Sequence, residues 1–209
     1  MKKITQEQVW NNIAKQWSQW RNEPIKEVAE FLKNKKGKIL DVGCGSGRNI
    51  IATKGLTFYG VDFSASMLKL AEKEAKKRLA NAIFFKSKAS KLDFKDNYFD
   101  YAIFISALHC IETKEERKKA LEELYRVMKK NAEGLITVWD KKRSKNFSKL
   151  ASNETFIKWK KEDEVYKRYY YFYENKELAS LLAQVGFKLL KKKSKGKHSD
   201  SNLVFYVKK

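Results

Sequence analysis

The chain has 209 residues, with 46 Lys and Arg against 25 Asp and Glu, a formal net charge of +21 and 43% hydrophobic residues. That length can bury a substantial single core, and the apolar share is too high for a disordered chain. No run of about 18 apolar residues is present to cross a membrane, and Cys44 and Cys110, with only His109 and His198 to help, supply neither a disulfide framework nor a structural zinc site, so no metal is expected.

The first segment predicts a helix. Thr5 and Gln8 have the spacing of a capping box, and Trp10, Ile13, Ala14 and Trp17 repeat at helical period. The basic tip of MKKITQEQVWNN has no apolar stretch behind it, so the cytoplasm is the expected location. Pro24 ends this helix, and a second over residues 25–32 brings Val28, Phe31 and Leu32 to one side. Five short apolar and β-branched runs follow, at residues 38–42, 58–62, 83–86, 101–106 and 135–139, with helical patterns over 64–79 and 114–128 between them. Strand and helix alternating in this way predict an α/β protein with a parallel sheet covered on both faces.

From Lys141 to Tyr173 the sequence is polar and aromatic-rich without a clear period, and is read as an insertion on the substrate side. A helix over 174–184, the stop signal Gly186, and strands over 187–190 and 203–207 complete the chain. The turn-like KSKGKHSDSN between those strands predicts an antiparallel pair at the sheet edge. The expected organisation is one domain over 1–209, with a helical cap at 1–36 and the insertion at 141–173.

The charge is uneven. After residue 140 there are 19 Lys and Arg against 7 Asp and Glu, a net +12 of the +21. A basic face of that density attracts polyanions by counterion release, although lysine-rich composition also serves solubility alone.

The strongest local signal is ILDVGCGSGRN, where a strand carrying Asp41 runs into Gly43, Gly45 and Gly47 ahead of a helix. Such glycines let the backbone turn tightly and approach a ligand at the C-terminal edge of the sheet. Arg48 stands where a dinucleotide fingerprint needs glycine, and the ending of a P-loop is missing too. Asp62, at the end of the second strand in FYGVDFS, sits where a carboxylate accepts the two hydroxyls of a ribose.

These motifs resemble the class I S-adenosylmethionine-dependent methyltransferases. The resemblance implies a Rossmann-like fold with a seven-stranded, mostly parallel sheet and an antiparallel C-terminal strand. It further implies S-adenosylmethionine as cofactor, held by Asp41, Gly43, Cys44, Gly45, Gly47, Asp62, Phe63, Ser64, Met67, Lys88, Ala89 and Ser106. Many relatives carry Gly-Asp-Ala after the third strand, with the Asp receiving the adenine amino group; this chain has Ser87, Lys88 and Ala89, and a lysine cannot accept that bond.

The segments WNNIAKQWSQWRNEPIKEVAEFL, SALHCIETKEERKKALEELYRVMKKNAEGLITVWD and FIKWKKEDEVYKRYYYFYENKELASLLAQVGF resemble, in that order, the tRNA wobble-uridine carboxymethyl methyltransferase family. Two positions depart from it: the family's His-His is His109-Cys110 here, and its Pro-Gly-Gly is Asn131-Ala132-Glu133-Gly134. The resemblance implies methyl esterification of a carboxymethyl group on the wobble uridine, giving 5-methoxycarbonylmethyluridine. A carboxylate with a pKa of about 4 is already ionised at neutral pH and needs no general base.

Arg21 and Arg168 match family positions and suit a bidentate carboxylate clamp, while His109 is placed to touch cofactor or uracil. Trp159, Tyr169, Tyr170 and Asp200 are the expected contacts to the substrate, the aromatics by stacking on unpaired bases. The alternation in RYYYFY equally fits a plain strand. The resemblance also implies tRNA as partner and a small zinc-ribbon activator protein that adds a strand to the sheet. Two other functions fit the same motifs: a small-molecule methyltransferase, and a noncatalytic cofactor-binding scaffold.

Overall fold

The computed structural model describes residues 4–20, 22–142, 151–190 and 202–209. Helix α1 (Gln6–Trp20) starts at the expected capping box: Thr5 N–H donates to Gln8 Oε1 at 2.9 Å, and Gln8 N–H donates to Thr5 Oγ1 at 3.3 Å. Val9, Trp10, Ile13 and Ala14 form its buried face. Helix α2 (Lys26–Leu32) buries Val28, Phe31 and Leu32. Then come β1 (Gly37–Val42), β2 (Leu56–Asp62), α3 (Ala65–Lys77), β3 (Ala82–Lys86), β4 (Phe99–Ile105), α4 (Lys114–Val127) and β5 (Met128–Trp139). The remainder is β6 (Glu154–Lys161), β7 (Glu164–Tyr171), α5 (Asn175–Val185), β8 (Lys188–Leu190) and β9 (Asn202–Lys208).

Seven strands form one sheet in the order β3-β2-β1-β4-β5-β9-β8. The first five are parallel, and β9 runs antiparallel to both β5 and β8. The order reverses between β1 and β4, so the C-terminal ends of these two strands flank the crevice where open α/β sheets bind ligands. Strand interiors are apolar because helices cover both faces. One core joins Leu40, Phe104 and Ile136 to Leu121 and Leu124 of α4 and to Leu178 and Leu182 of α5. A second joins Ile39, Phe58, Ile103 and Leu135 to Val28, Phe31 and Leu32 of α2 and Ala75 of α3.

The stretch without a clear period contains an ordered antiparallel hairpin, β6 and β7, outside the main sheet. Its alternation is hidden because β7 buries Arg168, Tyr169 and Tyr170 in succession. The hairpin leaves and rejoins the fold at neighbouring points, with Asp140 bridged to Tyr173 and Lys141 N–H donating to Tyr173 O at 3.2 Å. Gln6 ties it to α1: Nε2 donates to Lys167 O at 3.1 Å, and Oε1 accepts from Tyr169 N–H at 3.0 Å. Tyr166, Tyr170 and Phe172 thereby join Val9, Trp10, Ile13 and Met67 in a third core above the sheet.

Candidate active site

The end of β1 runs into a turn that only small residues permit. Gly43 has φ +66°, and a Cβ there would lie 2.4 Å from the Ala107 Cβ; at Gly47, with φ +82°, it would lie 3.0 Å from the Ala71 Cα of α3. Side chains at either position would push the loop off β4 or off α3. A Cβ on Gly45 would meet nothing within 4 Å, so the backbone there is open.

That opening is one wall of a cavity of about 860 Å³ at the C-terminal edge of the sheet. Of the expected site residues, Gly43, Cys44, Gly45, Asp62, Phe63, Met67, Lys88, Ala89, Ser106, His109 and Tyr170 line it. Asp41, Gly47 and Ser64 lie outside the lining. Ser64 caps α3, its Oγ accepting from Met67 N–H at 3.1 Å and donating to Asn11 Oδ1 at 2.8 Å. Arg21 and Asp200 lie outside the described residues. Gln6, Trp10, Trp17, Arg48, Glu116, Trp139 and Asn202 also line the cavity.

Two carboxylates sit beneath the glycine turn. Asp62 Oδ2 accepts from Gly45 N–H at 2.9 Å and Oδ1 from Ser64 N–H at 2.8 Å, leaving each oxygen a further lone pair. Burial raises its pKa to about 6, against the pull of the Ser64, Gly45 and Phe63 amides. Asp41 is buried with neither oxygen hydrogen-bonded. Burial pushes it up to about 8; Arg48 draws it down and Asp62 adds to the rise.

Across the cavity, His109 Nδ1 accepts from Trp139 N–H at 3.2 Å, which places the ring proton on Nε2. Its ring stacks on Trp139 at 5.2 Å, and Trp139 stacks on Tyr170 at 4.4 Å with planes 5° apart. Cys110 has its thiol pushed up to about 12 by burial and is not a nucleophile at neutral pH.

Arg168 projects from β7 into a cage of rings, its guanidinium carbon 4.9 Å from Trp159, 5.2 Å from Trp17 and 5.3 Å from Tyr170. Among the described residues no carboxylate pairs with it, and its Nε is buried without a hydrogen bond. Trp17 and Tyr170 belong to both cage and cavity wall, so the cation sits one ring behind that wall. Trp159 is part of the cage and is held by Gln16, whose Oε1 accepts from its Nε1 at 2.9 Å.

Tyr169 corrects the expectation of a substrate contact. It faces the other side of β7, donating to Glu154 Oε2 at 2.6 Å and accepting from Arg117 Nη1 at 3.2 Å. The buried Arg117 also bonds the carbonyls of Ile111 and Glu112, so this pair joins α4 and its leading turn to the hairpin.

A methyltransferase domain family matches residues 39–131. The chain is 35% identical over 133 residues to a tRNA (carboxymethyluridine(34)-5-O)-methyltransferase of Arabidopsis thaliana, a match covering 63% of this chain and 31% of that protein. It thus spans about a third or less of the first curated relatives it matches. An uncharacterized protein of Methanocaldococcus jannaschii is 31% identical, with 88% of this chain and 82% of that protein covered. Among solved structures, an S-adenosylmethionine-dependent methyltransferase of Methanosarcina mazei superimposes with TM-score 0.70 at 24% identity, covering 88% of this chain and 96% of that one.

Proposed function

Because the chain belongs to the S-adenosylmethionine-dependent methyltransferase family that includes the tRNA carboxymethyluridine methyltransferases, we propose that it esterifies the carboxymethyl group of a wobble uridine in tRNA. The observation that carries this reading is Arg168, a buried cation with no acidic partner among the described residues, set behind the wall of the candidate cofactor cavity.

The residues present fit the cofactor. Asp41 offers two buried acceptors without partners, suited to a cationic amino group, and Asp62 keeps lone pairs for ribose hydroxyls. Gly43, Cys44, Gly45 and Gly47 present backbone to the same end, with Ser64 fixing Asp62 and the start of α3. Phe63, Met67, Ala89 and Ser106 provide the wall for the base and the sulfur end. S-adenosylmethionine supplies an electrophilic methyl group, and a carboxylate oxygen is a competent acceptor for it without deprotonation.

What the protein adds is alignment and exclusion of water. Arg168, one ring behind the wall, attracts the acceptor carboxylate by its charge and positions Tyr170, which lines the cavity, through the Nη1 bond to its hydroxyl. His109 lines the same cavity with its ring stacked on Trp139, and Tyr170 and Trp139 form a stacked pair on which a flipped base can lie. Trp10 and Trp17 of α1 close one side of the cavity. The net charge of +21 favours tRNA as the macromolecular substrate. A zinc-ribbon activator would pair along β3, an edge strand whose Ile83 and Phe85 are exposed.

Single-turnover assays on two matched anticodon stem-loops test this, one carrying carboxymethyluridine and one carrying uridine at the wobble position. Methylation of the first alone supports the reading. Equal methylation of both removes the carboxylate from it, and methylation of neither, with transfer to a small acid, favours a small-molecule methyltransferase.

A further inference from the structure

Lys88 lines the cavity after β3 but has no acceptor to offer an adenine amino group, and the structure places a carboxylate beside the same segment. Three carboxylate residues line the cavity: Asp62, Glu112 and Glu116. Asp62 lies at the glycine turn, bound to Gly45 and Ser64. Glu112 is exposed. Glu116, in the first turn of α4, is half-buried, and its Oε2 accepts a hydrogen bond from Ser90 Oγ, one residue beyond Ala89. Its backbone is fixed as well, since Glu116 N–H donates to Thr113 Oγ1 at 3.1 Å in the α4 cap.

We infer that Glu116 accepts the exocyclic amino group of the adenine, replacing from α4 the contact that Lys88 cannot make from the loop after β3. Ser90 engages Oε2, and Oε1 is the acceptor for the incoming donor. A glutamate on α4 can take this role because the Ser90 bond brings that helix against the loop, and the exposed Lys88 lines the cavity without occupying the acceptor position. The inference rests on the placing of the cofactor in this cavity, and it predicts discrimination between a base that donates at position 6 and one that accepts there.

Calorimetric titration of the full chain with S-adenosylhomocysteine and with its 6-oxo analogue tests it. The parent protein should bind the adenosyl compound at least about tenfold more tightly, the strength of one charge-assisted hydrogen bond. Glu116→Ala should abolish that preference by weakening the adenosyl compound alone. Glu116→Gln, whose amide can donate to an oxo group, should narrow or invert it. No preference in the parent, or one unchanged in both variants, overturns the inference. Asp62→Ala separates this from the placing of the cofactor: it should weaken both compounds alike, and if it weakens neither, placement and inference fail together.

Discussion

Arg168 donates from Nη1 to the Tyr170 hydroxyl at 2.8 Å, two residues along the same face of β7, and this bond holds a buried guanidinium among tryptophans from α1 and β6. A buried charge that meets no carboxylate among the described residues is costly, and an arriving anion relieves that cost.

Arg168→Ala should therefore lower the single-turnover methylation rate by about a hundredfold, through lost alignment as well as binding, while leaving cofactor affinity close to the parent value. Arg168→Lys should recover little, because a point charge does not reproduce the fork. Rate measurements at saturating cofactor, with calorimetry on the same preparations, check both. Equal losses in rate and cofactor affinity would put Arg168 in the cofactor's site instead.

Asp62 must be ionised to accept ribose hydroxyls with full strength, and its pKa in the free protein is about 6. Affinity for S-adenosylhomocysteine should fall as pH drops through about 6, in addition to the dependence that Asp41 gives near 8. Asp62→Asn should lose about 1.5 to 3 kcal/mol of binding at pH 8 and lack that fall. Titrations between pH 5 and 8 read both.

Asp41 sets a pH dependence of stability. Its carboxyl lies near 8 in the folded protein against an ordinary 3.8, so the folded state holds the proton more tightly. The resulting stability is full below about pH 4 and is lost as pH rises through about 8. Asp41→Asn should raise the melting temperature at pH 8 and leave it unchanged at pH 4, at about 2 to 4 °C per kcal/mol for a chain of this size. A cationic ligand beside Asp41 stabilises its ionised form, so cofactor binding at pH 7 should release protons, seen as calorimetric heats that change with the buffer.

Gln6 holds α1 to β7 through two hydrogen bonds. Gln6→Ala should cost about 1 to 3 kcal/mol locally. Hydrogen exchange should then quicken at the amides of β6 and β7 and stay unchanged in β1 and β4. Uniform acceleration across the sheet would show that the hairpin opens only with the whole fold.

The sheet, the glycine turn and Asp62 were legible because their signals are local: β-branched runs, glycines at fixed offsets and a carboxylate at a strand end. The hairpin was not, because on β6 the inward positions Thr155, Ile157, Trp159 and Lys161 mix polar with apolar, while β7 buries both faces around Arg168. The resemblance singled out Arg168, yet its cage joins Trp10 and Trp17 to Trp159 across some 140 residues of chain, a convergence no period can announce. Tyr169 misled for the opposite reason. Its neighbours alternate, and only Glu154 and Arg117 show which side it takes.

The most direct measurement is nucleoside mass spectrometry of carboxymethyluridine-containing tRNA incubated with the protein and S-adenosylmethionine bearing an isotopic methyl group. The label should appear in 5-methoxycarbonylmethyluridine at the wobble position and be released as methanol by mild alkali, as a methyl ester requires. An alkali-stable label on any nucleoside, or no label in tRNA shown to contain the carboxymethyl precursor, would contradict carboxylate esterification as the reaction of this site.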